Sequence, residues 1–101
     1  MKGGFSGFDW DSGNREKCQK HGVSPAEIEA LFQGTLAVFP DPGHSMAERR
    51  FVAIGKGQSG RRIFLAFTVR GKETERLIRP ISARYMHRKE VDHYGKENPY
   101  A

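Results

Sequence analysis

Cysteine is scarce in this chain, and so are the usual signatures of secretion and membrane insertion. Among its 101 residues there is one cysteine, Cys18, so no disulfide can form within the chain and a reducing cytoplasm is the expected setting. No apolar run approaches the ~18–20 residues that span a bilayer, so no membrane contact is expected. The opening Met1-Lys-Gly-Gly-Phe5 has no hydrophobic region of a secretory signal. Gly55-Lys-Gly57 is not followed by a helix pattern, so it is not a phosphate loop. Gly-x-Ser-x-Gly is absent, and Cys18 lies mid-helix with no obvious base beside it, which argues against nucleophilic hydrolases. There is no repeat and no low-complexity segment. The length fits one domain, residues 1–101, with a core from about 8 to 94.

What the chain does have is positive charge in one place. From Arg70 to Lys89 there are seven Lys/Arg and two Glu, a net of +5, and the whole chain is also +5. The remainder therefore balances to zero. Basic charge gathered on a structured segment points to an anionic partner, either nucleic acid or an acidic protein. The blander reading is a solvated surface that keeps the protein dissolved.

Turn residues and periodicity divide the chain cleanly. Phe8-Asp-Trp10 reads as a short aromatic strand or arm. Asp11 or Ser12 caps a helix from about Gly13 to Lys20, which Gly22 stops. Ser24-Pro-Ala-Glu27 opens a second helix with Ile28, Leu31 and Phe32 as its apolar stripe, ended by Gly34. Leu36–Phe39 is a strand, and Pro40–His44 breaks it. Strands follow at 50–55, 62–70 and 77–84, the last containing Pro80, which makes it an edge or a bulged strand. A closing helix spans about Met86–Tyr94, with Val91 and Tyr94 inward and Gly95 as its stop. The expected fold is α+β: a small antiparallel sheet, two N-terminal helices on one face and a C-terminal helix, in the order β-α-α-β-β-β-β-α.

Several side chains are candidates for chemistry. Strand alternation sends Arg79 and Arg84 to opposite faces unless Pro80 marks a bulge. Arg84, next to small Ser82 and Ala83, offers a guanidinium to phosphate, as does Arg70; both could instead pair with carboxylates inside the fold. Lys20 and His21 end a helix, where they either complement its dipole or bind phosphate and transfer protons. Trp10 is either a stacking platform or an anchor for the first strand. Glu48 and His44 flank a loop, and Glu48 is a candidate base. Glu90 and His93 have helical spacing, but two ligands do not make a metal site. No metal or other cofactor is expected. No helix has the basic outer face needed to read DNA directly.

Five segments together resemble a known family: Phe8-Asp-Trp-Asp11, Lys20-His-Gly-Val23, Glu48-Arg-Arg-Phe-Val-Ala-Ile-Gly55, Phe67-Thr-Val-Arg-Gly71 and Ile81-Ser-Ala-Arg-Tyr85. In this order they resemble the BrnT-type toxins of bacterial type II toxin–antitoxin modules, over nearly the whole chain. The resemblance implies a RelE-like fold and an endoribonuclease, acting on free RNA or independently of the ribosome, that arrests translation; metal-independent cleavage is the expected route. It implies a BrnA-like antitoxin with a ribbon-helix-helix domain, two toxins paired with two antitoxins, and operator DNA bound only through the antitoxin. Carried over by position, the family's important residues are Trp10, Lys20, His21, Glu48, Arg70 and Arg84; Arg84, Arg70, His21 and Glu48 are the expected catalytic residues, and Lys20, Trp10 and Arg88 are expected to contact RNA. A non-catalytic basic module for RNA or protein binding is the alternative.

Overall fold

In the computed structural model, residues 5–41, 49–71 and 75–97 are described, with side chains up to Asp92. Helix α1 (Ser12–Gln19) starts at Asp11, whose carboxylate accepts from Asn14 N while the Asn14 side chain accepts from Asp11 N. This reciprocal box satisfies two backbone donors that a helix start otherwise leaves open. Helix α2 (Pro25–Leu31) starts at Ser24, which accepts from Glu27 N. Strands β1 (Gly7–Phe8), β2 (Leu36–Pro40), β3 (Arg50–Lys56), β4 (Arg62–Arg70) and β5 (Leu77–Tyr85) precede helix α3 (Arg88–Glu97). The order is the expected one. Helix α3 runs through Gly95, which does not stop it; the Tyr94 side chain lies outside the described residues, and Val91 is half-buried.

The sheet order is β1-β5-β4-β3-β2. Four strands form an antiparallel meander, and β1 joins β5 in parallel, pairing Gly7 with Leu77 and Phe8 with Ile78. The last strand is therefore interior at its start. One face of β4, with Ile63, Leu65 and Phe67 fully buried, packs on Cys18, Val23, Ile28, Leu31 and Phe32. Phe32 meets Phe67 edge-on at 5.6 Å, and Phe8 meets Phe32 at 5.5 Å, tying β1 to α2 and the sheet. Aromatic pairs in this geometry add to the burial that holds such small cores together. Cys18 is a buried core residue, and burial raises its thiol pKa to about 11, far from a reactive thiolate.

The opposite face is only partly open. Phe39, Val52 and Phe64 are half-buried there, while Ala66 and Thr68 are buried.

Candidate functional site

The position of every arginine on β5 depends on one extra residue. Ala66 pairs with Ser82 but Phe67 pairs with Pro80, so Ile81 bulges out of the ladder. The bulge shifts the alternation by one. Arg79 then stands opposite Thr68 and Arg84 opposite Phe64. Both partners have the same parity along β4, so Arg79 and Arg84 leave the same face, the one away from α1 and α2. This corrects the expectation of opposite faces from plain alternation. The Pro80 carbonyl, on the flank of β5 that β1 does not reach, accepts from Asn14 Nδ2 at 2.8 Å.

Sharing a face does not bring these arginines together. Arg70 pairs with Leu77 at the turn end of the hairpin. It lies six positions along β4 from Phe64 and hence from Arg84, which at ~3.3 Å per residue is roughly 20 Å. At the Arg70 end the charges are matched. Arg79 bonds Asp11 Oδ2 at 2.6 Å and lies 3.6 Å from Asp9 Oδ2, and Arg70 lies 3.8 Å from the same Asp9 oxygen. The two aspartates beside Trp10 are thus counterions to the basic strands. The Asn14 backbone N–H, then Arg79, hold the Asp11 carboxyl below its ordinary range. Trp10 is half-buried and packed on the core, and its Nε1 donates to Glu29 Oε2 at 2.9 Å. It anchors the segment after β1 to α2. A shallow cavity of about 360 Å³ between α1 and the bulge, lined by Lys17, Arg79 and Ile81, belongs to this end.

The other end of β5 is built differently. Arg84 forms a two-pronged bond with Glu90, both contacts 2.8 Å, and its guanidinium lies 4.6 Å from the centre of the Phe64 ring. The pair, helped by the His87 N–H, lowers the Glu90 carboxyl to about 2. Arg84 is still 40% exposed. Arg88 is exposed at the start of α3.

Lys20 and His21 are exposed in the turn after α1. That turn abuts Tyr85, because a Cβ on Gly22 would sit 3.9 Å from Tyr85 Cε2. Tyr85 donates to Glu27 Oε2 at 2.6 Å, and Ser59 Oγ lies 3.5 Å from Glu27 Oε1. The hydrogen bond to Glu27 raises the Tyr85 pKa. Glu27, only 8% exposed, fits because residue 57 is glycine: a Cβ there would collide with Glu27 Oε1 and stand 2.7 Å from Ile63 Cδ1. The Arg61 guanidinium lies 3.9 Å from the Tyr85 ring centre. Sequence reasoning missed Glu27, Arg61 and Tyr85 as a unit. The signals were a glutamate that served equally well as a helix-start residue and an aromatic at the close of a strand.

The structure therefore brings Arg84, Lys20 and His21 to the same end of β5. Arg84 is on the open face and the Lys20–His21 turn on the helix side. Arg70 and Trp10 are elsewhere, and Glu48 and His44 lie outside the described residues. Among the described residues no three His, Cys, Asp or Glu side chains are grouped to hold a metal ion, and no helix is long and apolar enough to cross a membrane.

Residues 10–90 match the family model for the ribonuclease toxin BrnT of type II toxin–antitoxin systems. The chain belongs to the BrnT family. No curated protein matches it. Membership makes this a ribonuclease toxin with a cognate antitoxin. The matched span runs from Trp10 through Glu90 and so includes both ends of β5.

Proposed function

We propose that this BrnT toxin cleaves RNA without a metal ion, by attack of a 2′-hydroxyl on the adjacent phosphate, and that loss of messenger arrests translation. The observation that carries the reading is the end of β5, where Arg84 is held outward by Glu90 and Phe64 near the Lys20–His21 turn. Transesterification of this kind needs positive charge on the developing phosphorane and proton transfer at two oxygens. Arg84 supplies the charge. Lys20 holds a neighbouring backbone phosphate, Arg88 extends the path along the start of α3, and His21 transfers a proton. The RNA passes around the end of β5 from the open face to the helix side. Arg70, roughly 20 Å away by strand length, and Trp10, in the segment after β1, act on the fold and on the more distant RNA backbone. A ribbon-helix-helix antitoxin neutralises the toxin in a complex of two toxins and two antitoxins, which binds operator DNA through the antitoxin.

The test is incubation of purified protein with RNA in EDTA, beside the Arg84→Ala variant. Wild-type protein should give products ending in 2′,3′-cyclic phosphate. Arg84→Ala should lower the rate at least about 100-fold, as loss of one preorganised charge donor does, with an unchanged circular dichroism spectrum. Intact RNA at high protein would sink the reading, and cleavage that EDTA stops would sink its metal-free form.

A further inference from the structure

The pair of Arg61 and Tyr85 has no part in the scheme above, yet its geometry is unusual for this chain. Four other arginines lie over aromatic rings among the described residues, at 4.6 to 5.8 Å from the ring centre. Arg61 lies at 3.9 Å. So close an approach puts the guanidinium in contact with the ring face, where its plane can stack. The ring beneath is fixed on two sides. Its hydroxyl is held by buried Glu27 at 2.6 Å, and its edge rests against Gly22. Arg61 itself is exposed, so this planar cation faces solvent over the ring that the turn after α1 abuts.

We propose that Arg61, stacked on Tyr85, is a platform for one nucleobase of single-stranded RNA. Unpaired bases bind proteins by stacking on aromatic rings and on arginine planes, and every base has a π face to offer. The platform lies on the helix side of the end of β5, while Arg84 lies on the open face of the same end. A strand whose phosphate meets Arg84 therefore lays a flanking base on Arg61. Glu27 acts as a positioning residue that holds the ring, and Gly57 leaves room for its carboxylate. This inference rests on the RNA-cleaving reading and adds to it a site for the base.

The experiment uses single-stranded RNA oligonucleotides in which one nucleotide at a time is made abasic across the cleaved bond. Binding and cleavage are measured for wild type, Arg61→Ala, Arg61→Lys and Tyr85→Phe. For wild type one abasic position should weaken binding about tenfold, the scale of one stacked base. In Arg61→Ala intact RNA should bind about tenfold more weakly, and the same abasic position should then cost nothing more. Arg61→Lys, which keeps the charge and loses the plane, should behave like Arg61→Ala. Tyr85→Phe keeps the ring but frees it from Glu27, and should bind more weakly than wild type while keeping the abasic penalty. An abasic penalty equal in wild type and Arg61→Ala overturns the platform, and so does an Arg61→Lys variant that binds like wild type. Wild-type protein that cuts RNA with no abasic penalty overturns the platform alone; protein that neither binds nor cuts RNA overturns the proposed function with it.

Discussion

At the turn end of the β4–β5 pair, Arg70 and Arg79 look onto Asp9 and Asp11. At the opposite end Arg61, Arg84, Arg88, Lys20 and His21 share the neighbourhood of Glu27 and Glu90. The first end spends its cations on carboxylates of the segment after β1, and so clamps that segment to the sheet. The second also pairs its arginine, Arg84 with Glu90, but uses its two carboxylates to aim side chains, Glu90 for Arg84 and Glu27 for Tyr85, and leaves Lys20, His21, Arg61 and Arg88 exposed. Net charge alone does not separate an arginine that holds the fold from one that meets a ligand. The partner does, together with what remains facing solvent.

Substitutions can break that contrast. The largest stability effect is expected at the turn end from Gly71→Ala. Gly71 has φ +98, and a Cβ there would collide with the Glu75 carbonyl oxygen. The strained backbone should cost about 2 kcal/mol, seen as a lower urea midpoint, with cleavage per folded molecule unchanged. Arg79→Ala should cost about 1 kcal/mol, because its charge-assisted bond to Asp11 is short but partly exposed to solvent. It too should leave kcat alone, and a large drop in kcat with little loss of stability would erase the distinction between the ends. The smallest effect concerns pH. Glu90 titrates at about 2 in the fold against an ordinary 4.5. Its contribution is fully present above pH 4.5 and is lost as pH falls through about 2. Glu90→Gln should therefore flatten that part of the acid-unfolding curve, and an unchanged curve would separate Glu90 from Arg84 in solution.

The elements were readable because glycine, proline and capping residues punctuate this chain densely. The expected bounds of β4 agree with the observed Arg62–Arg70, and Ser24 starts α2 as its side chain suggests. Helix α3 passed its expected stop because Gly95 lowers helix propensity without forbidding the next turn. The site was harder to read, for reasons of distance. Asp11 finds Arg79 at a separation of 68 residues, and Glu27 finds Tyr85 at 58. No local pattern encodes such pairs. The facing of Arg84 was hidden for a different reason: Pro80 warned of a bulge, but the skipped residue is Ile81. Lys20 and His21 do follow a helix end, as their place in the sequence suggested, and are exposed there; their neighbour Tyr85 came from the far end of the chain.

The pairing of β1 with β5 also sets a timetable. A growing chain must be made as far as Ile78 before Phe8 has a strand to lie against. Asp9 must wait for Arg79, and the Lys20–His21 turn for Tyr85. Half-made toxin thus has neither a closed sheet nor an assembled strand end. Folding and arming therefore coincide, since both wait for the residues from Ile78 to Tyr85.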